Sequence, residues 1–289
     1  MSDIGPDAAA PPQCYVDLHM HSTASDGAVA PAEVVAAAQR AGLSAIALTD
    51  HDTVDGVAAA QAAGASLGVR VIAGVELSAV DEGDEIHVLG LHLSHPEHMA
   101  SALEELKESR RDRAGLIVER LNSFGIAVTL EGVYAAAGGG AVGRPHIAKA
   151  LIAGGWARDF RDAFDRWLGN GKPACIEKRT VTFEEAARLI HEAGGLAVYA
   201  HPGGAASRAE LEELASLGLD AVEVRHPSHT MDEIARLSAL TNELGLVPSG
   251  GSDWHGAQDG YRALGSMKVS AEWLALQDAR VRQRMVQPA

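Results

Sequence analysis

The sequence is poor in cysteine and in long apolar runs, and each deficit excludes a class of protein. Two cysteines, Cys14 and Cys175, cannot form a disulfide framework, so we expect a reducing, cytoplasmic setting. No apolar stretch reaches the length of about eighteen residues that indicates a membrane span. Residues 1–13 have neither a basic region nor an apolar core of their own. They therefore predict no secretory signal, and we interpret them as a disordered lead-in.

Positive charge and aromatic side chains are also scarce. The net charge of −15 over 289 residues argues against a protein with a broadly basic surface for non-specific nucleic-acid binding. Phe, Trp and Tyr make up 4% of the chain, so stacking surfaces for long single-stranded nucleic acid are few. Residues 105–180 nevertheless hold 13 of the 24 Lys and Arg residues, against 9 acids. This modestly basic segment indicates either a locally bound anion or solvated helix faces with i,i+4 charge pairs.

Short apolar segments alternate with helical patterns of ten to fifteen residues, which is typical of parallel βα units. The predicted strands lie at residues 15–18, 45–48, 69–73, 85–92, 196–200, 221–224 and 246–249, with a further short strand near 267–269. The alternation stops between residues 97 and 179, where the pattern is wholly helical. We therefore predict an α/β domain formed by residues 14–96 and 180–289. A helical lobe, residues 97–179, is inserted into it.

Polar residues that bind metals recur where the predicted strands end. Six of the seven main strands end in His, Asp or Glu, and the fourth carries His87 within its apolar run. In a βα barrel the carboxyl ends of the strands share one face, so these side chains are expected to meet in one mouth. The set consists of His19, His21, Asp26, His51, Glu76, His201, Asp253 and His255. Any one of them could be a satisfied core or surface residue, but their recurrence favours a metal site that holds several ions.

Imidazole and carboxylate ligands without a thiolate suit Zn, Mn, Fe or Mg-like ions, and they exclude an iron–sulfur cluster or a closed structural zinc site. The candidates outnumber the ligands that one ion can use. Two or three ions in one mouth can clamp the attacking and leaving oxygens of an in-line displacement and lower the pKa of bound water to about 7. The predicted chemistry is hydrolysis at phosphorus or at a carbonyl group.

Taken together, the polar motifs resemble those of the polymerase and histidinol phosphatase (PHP) family over about residues 15–256. The matching motifs are His19-x-His21, Ser25-Asp26-Gly27, Thr49-Asp50-His51-Asp52, Gly74-Val75-Glu76, His87-Val88-Leu89-Gly90, Ala200-His201-Pro202 and Gly251-Ser252-Asp253-x-His255. The resemblance implies a distorted (βα)7 barrel with metal-dependent phosphoesterase activity. It also implies two or three divalent ions, with Mn expected first and Zn, Fe or Mg as alternatives.

The resemblance further implies how the ligands divide among the ions. One ion would take His19, His21 and Asp253, with Glu76 as a bridge; the second would take Asp26, His51 and His255; the third would take Glu76, His87 and His201. Within the fourth strand, His87 is preferred to His92 because His87 precedes Val-Leu-Gly, as in the family.

Three more segments resemble a narrower branch of the family. They are Gly143-Arg144-Pro145-His146-Ile147-Ala148, Gly169-x-Gly171-Lys172-Pro173 and His226-Pro227-Ser228-His229. Members of that branch remove the 3′-phosphate of nucleoside 3′,5′-bisphosphates to give the 5′-monophosphate, or cleave short RNA from its 5′ end. Both activities require a 5′-phosphate for recognition. The implied nucleophile is a metal-bound hydroxide, and the implied partner is a small nucleotide or a short oligonucleotide. Neither a membrane nor a protein partner is indicated.

The same segments supply candidates for substrate binding and proton transfer. Arg144, His146 and Lys172 are predicted to bind phosphate, although capping of a helix start is the alternative for the first two. His226 and His229 follow a strand end, and either could serve as a general acid or make an ordinary supporting hydrogen bond. Arg225 is a further candidate for stabilising charge during the reaction.

Two other functions share the metal motifs. A histidinol-phosphate phosphatase would have the same ligands, but the helical lobe and the segment beginning at Gly143 count against it. A non-catalytic accessory module would be expected to have lost ligands, whereas every motif position is filled in this chain.

Overall fold

The computed structural model describes residues 14–81, 84–176, 181–204, 206–257 and 259–286. The predicted disordered lead-in, residues 1–13, lies outside the described residues. The predicted end of the lobe, between residues 179 and 180, lies outside them as well.

Within the described ranges, nine strands form one sheet. They are β1 (Tyr15–Asp17), β2 (Ala45–Leu48), β3 (Arg70–Asp81), β4 (Asp84–Leu91), β5 (Val181–Thr182), β6 (Leu196–Tyr199), β7 (Ala221–Arg225), β8 (Val247–Gly250) and β9 (Val269–Ser270). Their order is β8-β7-β6-β4-β3-β2-β1-β9, and β5 pairs with β3. The backbone N–H of Leu18 donates to the carbonyl of Gly250 at 3.1 Å, and Met20 and Trp254 form a parallel bridge. These contacts bring β1 close to β8, so the sheet is nearly closed and barrel-like. The predicted α/β barrel class is confirmed.

Ten α-helices accompany the sheet in the part of the chain that is described. They are α1 (Pro31–Arg40), α2 (Val57–Leu67), α3 (Ala100–Ser123), α4 (Leu130–Ala137), α5 (Arg144–Ala153), α6 (Phe160–Ala163), α7 (Phe183–Glu192), α8 (Arg208–Ser216), α9 (Met231–Glu243) and α10 (Ala271–Val286). A 3-10 turn, Pro96–Met99, precedes α3, and a π-helical turn, Phe164–Leu168, continues α6. None of the described helices has the length and apolarity needed to cross a bilayer.

Helices α7, α8 and α9 begin with reciprocal caps that follow directly from the sequence. In each one a Ser or Thr side chain accepts from the backbone N–H of a Glu three residues later, and that Glu reaches back to the cap residue. The pairs are Thr182 with Glu185, Ser207 with Glu210, and Thr230 with Glu233. Because Thr230 directly follows His229, the start of α9 also fixes the end of the loop that carries His226 and His229.

Strand β4 departs from the predicted parallel arrangement, since it runs antiparallel to both β3 and β6. Only a short connection separates β3 from β4, and a parallel crossover needs about a dozen residues or more. Strand β3 is also longer than predicted and continues past Ala73 to Asp81. Glu76 therefore lies inside β3, not at the end of a strand, and its register partner on β4 is Leu89.

Separate hydrophobic cores support the barrel and the helices that follow it. Val16, Leu18 and Leu89 belong to the core inside the sheet. Helix α3 contributes to two further cores. Its first half supplies Leu103 and Leu106 to the core between the sheet and the helices, and its second half supplies residues such as Ile117 to the core of α3–α6. Burial of such side chains contributes about 1.5–3 kcal/mol each relative to exposure. The shared helix fixes the position of α4–α6 relative to the mouth of the barrel.

Candidate metal centre

Glu76 lies at the centre of a cluster of histidines. Its side chain is almost completely buried. Its Oε1 atom is 2.7 Å from His87 Nδ1 and 3.2 Å from His201 Nε2. Its Oε2 atom is 3.2–3.3 Å from ring nitrogens of three further histidines: His19, His21 and His51. One carboxylate therefore contacts five imidazoles.

Two further carboxylates complete the cluster. Asp253 Oδ1 lies 3.2 Å from His21 Nε2 and 3.5 Å from His19 Nε2. Asp26 Oδ1 lies 3.2 Å from His255 Nε2, and its Oδ2 lies 3.9 Å from His51 Nε2. All nine predicted ligands are thus brought together by the loops after β1, β2, β6 and β8 and by the paired strands β3 and β4. His92, the alternative to His87, bonds instead to Gln277 on α10.

Two residues of the cluster have an unusual backbone conformation. His201 has φ +34° and Asp253 has φ +50°, both in the left-handed region that residues other than glycine seldom adopt. Such strain costs on the order of 1–3 kcal/mol and persists only where the surroundings enforce it. Its presence in two loops of the cluster indicates that these loops are shaped for it.

The donor set fits divalent metal ions. Seven buried side-chain atoms in and beside the cluster have no hydrogen-bond partner among the described residues: His19 Nε2, His21 Nδ1 and Nε2, His51 Nδ1, Glu76 Oε2, His87 Nδ1 and His226 Nε2. Buried polar atoms without partners are rare, and a missing ion is one of the accepted reasons for them. Four overlapping groups have ligand atoms close enough to share an ion, and three of them consist of predicted ligands alone: His21, Asp26, His51 and His255; His19, His21 and Glu76; and His51, Glu76 and His87. The fourth is His19, Glu223 and His226.

The electrostatics of the cluster keep its carboxylates ionised. Burial opposes the charge on Glu76, but the surrounding histidines outweigh it and hold its pKa well below the usual value. The pKa values of Asp26 and Asp253 lie well below theirs for the same reason. Burial also opposes the charge on His21, yet its contacts with Asp253 and Glu76 raise its pKa to about 10. Burial dominates at His51 and lowers its pKa to about 3. Protonated and neutral imidazoles therefore stand side by side.

Two buried aspartates hold the loops that carry predicted ligands. Asp50 accepts from the backbone N–H and hydroxyl of Ser22 and from the hydroxyl of Ser25, all at 2.7 Å, next to Asp26. Asp17 accepts from the backbone N–H and hydroxyl of Ser252, next to Asp253. Both lie at the carboxyl ends of strands, where the sequence pattern already pointed, although neither was predicted to have a role.

The sequence reasoning missed three more charged residues around the cluster. Arg262 donates to Asp253 Oδ2 from the loop after β8, and Arg110 of α3 pairs with Asp52. Arg110 also donates to the Ser78 hydroxyl at 3.1 Å, so α3 is tied to β3 beside the site. Glu223 lies inside β7, and a lone acid between apolar residues of the strand Ala221–Arg225 was a signal that could have been recognised.

The predicted proton donors differ in their surroundings. His229 Nδ1 donates to the carbonyl of Val224 at 3.0 Å, and its Nε2 accepts from the N–H of Gly203 at 3.1 Å. The ring is therefore neutral, with both nitrogens occupied and no proton free for a leaving group. His226 Nδ1 accepts from the N–H of Ser228, which leaves the proton on Nε2, 3.6 Å from Asp253 Oδ2. Of the two predicted candidates, only His226 presents a donor to the cluster.

Arg225 does not point to the cluster. Its guanidinium donates to the carbonyl of Met267 at 3.0 Å and lies over the ring of Trp273. These contacts anchor α10 against the sheet, which corrects the predicted role in charge stabilisation.

The predicted phosphate-binding residues also separate. Arg144, at the start of α5, lines a cavity of about 310 Å³ together with His87 and His201. Its guanidinium is held by Asn170 at 2.9 Å and by Glu85 at 3.5 Å.

His146 is instead buried, and burial lowers its pKa to about 4. It accepts from the N–H of Gly143, so the capping alternative describes it better than phosphate binding. Lys172 is exposed and is not among the described residues that line the cavity.

Comparisons with known proteins match this geometry. The sequence profile of the PHP domain matches residues 17–172. The 5′-3′ exoribonuclease Rnm of Escherichia coli is 38% identical over 248 residues, which cover 83% of this chain and 84% of that protein. The chain belongs to the PHP domain family. The family predicted from the motifs is thus confirmed.

Two more relatives place this PHP protein within its family. The 3′,5′-nucleoside bisphosphate phosphatase of Chromobacterium violaceum is 34% identical, over 86% of this chain and 90% of its own. A crystal structure of a proposed metal-dependent phosphoesterase from Bifidobacterium adolescentis superposes with a TM-score of 0.84 at 30% identity, covering 94% of this chain and 98% of that one. The likeness therefore extends through both the barrel and the helices α3–α6.

Proposed function

We propose that this PHP protein is a metal-dependent phosphoric ester hydrolase that removes the 3′-phosphate of nucleoside 3′,5′-bisphosphates. On short 5′-phosphorylated RNA it would act as a 5′-3′ exoribonuclease. The observation that carries the proposal is the cavity in which Arg144 faces His87 and His201, since it joins an anion-binding side chain to the cluster. The two curated relatives, which are named for these two activities, support the same substrates.

Contacts within the cluster support the predicted division of ligands among three ions. His19 and His21 share Asp253 Oδ1 and Glu76 Oε2, as the first ion would require. Asp26 lies between His51 and His255, as the second would require. Glu76 Oε1 faces His87 and His201, as the third would require. Divalent ions held there would lower the pKa of a bound water and neutralise charge on the phosphoryl oxygens.

The protein side chains would position the substrate. Arg144 presents a planar guanidinium, which suits bidentate binding of a phosphate, and Asn170 and Glu85 hold it in place. Through its Nε2–H group, His226 would donate a hydrogen bond to a phosphoryl or leaving oxygen. A site that binds one phosphate at Arg144 while another lies at the cluster selects substrates with two phosphate groups. Manganese as the preferred ion and a cytoplasmic setting are predictions of the sequence that accompany this proposal.

The test is phosphate release in the presence of Mn²⁺ from adenosine 3′,5′-bisphosphate, compared with release from histidinol phosphate. We expect turnover of the bisphosphate and its loss in Asp253→Asn, with the melting temperature measured to confirm folding. Short RNA with a 5′-phosphate should be degraded, and the same RNA with a 5′-hydroxyl should not. Turnover of histidinol phosphate alone would overturn the nucleotide assignment, and no turnover of any substrate would favour a non-catalytic module.

A further inference from the structure

Glu223 is a charged residue in the interior of the barrel. It lies on β7 between the apolar residues Val222 and Val224, and it is fully buried. Burial of an ionised carboxylate costs several kcal/mol unless it is paired and hydrogen-bonded. A residue kept at that position has to be explained by what its oxygens contact.

Both contacts of Glu223 are with groups that donate. The carboxylate lies 3.0 Å from His19 Nδ1 through Oε1, and Oε2 accepts from the backbone N–H of His201 at 2.7 Å. Oε2 also lies 3.3 Å from His19 Nδ1, so the carboxylate spans both donors at once. Glu223 therefore links the loop after β1 to the loop after β6 from beneath the cluster.

The bond to His19 decides which ring nitrogen is left to bind an ion. Because a carboxylate faces Nδ1, that nitrogen carries a proton, and Nε2 is the nitrogen available as a ligand. Nε2 has no hydrogen-bond partner among the described residues and lies 3.3 Å from Glu76 and 3.5 Å from Asp253. A carboxylate behind a histidine ligand is known to fix both the proton and the orientation of the ring.

The bond to His201 acts on the backbone. His201 has φ +34°, a conformation that a residue other than glycine adopts only under constraint. The 2.7 Å bond from its N–H to Glu223 supplies part of that constraint. It holds the loop so that His201 Nε2 lies 3.2 Å from Glu76 Oε1.

We infer that Glu223 is a positioning residue that orients His19 and His201 together and so couples two of the metal positions. This inference rests on the proposed function, because it takes both histidines as metal ligands. His19 belongs to the proposed first ion and His201 to the third. A change at Glu223 should therefore weaken two sites at once, without removing any ligand.

The decisive variant is Glu223→Gln, which has nearly the same shape. Its amide has one acceptor oxygen and one donating NH2 group, so an NH2 group would replace an oxygen beside His19 Nδ1 or beside the N–H of His201. The matched control is Glu210→Gln, which removes a carboxylate that binds the Tyr199 hydroxyl on the neighbouring strand, at 2.9 Å. Glu223→Asp keeps both acceptor oxygens and should retain more affinity than Glu223→Gln.

Metal affinity and metal content are measured by calorimetric titration with Zn²⁺ and by elemental analysis after dialysis. We expect Glu223→Gln to bind Zn²⁺ about 10- to 100-fold more weakly and to lose more than one ion, with Glu210→Gln unchanged. In the Zn²⁺-loaded wild type, proton NMR should show an exchange-protected Nδ1–H signal from His19 that is absent from Glu223→Gln. Melting temperatures of the metal-free proteins separate this effect from unfolding.

Failure of the proposed function and failure of the inference about Glu223 give different results. A wild-type protein that binds no metal would overturn the proposed function. A wild type that binds metal, together with a folded Glu223→Gln variant of equal affinity and an unchanged His19 signal, would overturn this inference alone.

Discussion

Glu76 Oε1 lies 2.7 Å from His87 Nδ1, although the two residues are diagonal neighbours and not register partners on β3 and β4. The antiparallel pairing places Glu76 opposite Leu89, and His87 two residues further along the same face. This arrangement lets one carboxylate turn one oxygen toward β4 and the other toward the loops after β1 and β2. If β4 ran parallel to β3, as predicted, its side chains would follow one another along β3 in the reverse order.

Replacement of that carboxylate should disturb more than one metal position. We expect Glu76→Gln to lose more than one bound ion, because both oxygens of Glu76 face ligand histidines. Phosphatase activity should fall by more than about 100-fold, which is the largest loss usually caused by mutating a residue that only hydrogen-bonds to a metal ligand. Elemental analysis and initial rates with Mn²⁺ check this. Glu212→Gln, in a surface ion pair with Arg208, should change neither, and loss of a single ion in Glu76→Gln would contradict a bridging role.

Metal binding should release protons at neutral pH. Burial opposes the charge on His21, but Asp253 and Glu76 raise its pKa to about 10, so the metal-free ring is protonated at pH 7.5. A ligand imidazole must be neutral, hence the proton is expelled and affinity should fall as the pH is lowered. Calorimetric titration in HEPES and in Tris, whose ionisation enthalpies differ, measures the number released. We expect at least about one proton per protein, and a heat independent of buffer would contradict the raised pKa of His21.

The sequence predicted well which side chains gather in the cluster, because residues of metal-binding type recur at simple positions along the strands. His19, Asp26 and His255 stand where strands end, and Glu76 and His87 belong to recognisable motifs. The predicted direction of β4 was wrong, because hydrophobic alternation does not distinguish parallel from antiparallel neighbours.

Residues around the ligands were harder to predict, since their roles depend on contacts between distant parts of the chain. Glu223 meets His19 across 204 positions, and Arg110 reaches Asp52 from a helix of the predicted lobe. The residue types at His146, His229 and Arg225 suggested chemistry, but their hydrogen bonds to backbone groups give them structural roles. Such contacts between distant residues become visible only in the folded structure.

Arg144 should determine recognition of a second phosphate. We expect Arg144→Ala to raise KM for adenosine 3′,5′-bisphosphate by about 10- to 100-fold, because a charge-assisted hydrogen bond contributes about 1.5–3 kcal/mol. Arg144→Lys should recover only part of this, as it lacks the planar fork. Adenosine 3′-monophosphate, which has no 5′-phosphate, should show no such change. Lys172→Ala is the comparison: Lys172 is exposed and away from the cavity lining, so an equal loss in that variant would restore the original prediction for it.

His226 and His229 should respond in opposite ways to replacement by Asn. His229 holds Val224 and Gly203 through both ring nitrogens, so His229→Asn should lower the melting temperature by several degrees while kcat stays within about tenfold. His226 directs Nε2 toward Asp253, and that nitrogen has no hydrogen-bond partner in the part of the chain that the structure describes. Burial lowers the pKa of His226, so we expect it to act as a neutral donor. His226→Asn should therefore reduce kcat by about 10²–10³-fold with a smaller change in stability, as removal of one preorganised donor does elsewhere. Steady-state kinetics with Mn²⁺ and thermal unfolding separate the two effects. A large loss of kcat in a stable His229→Asn protein would instead identify His229 as the proton donor and require its bond to Gly203 to break during the reaction.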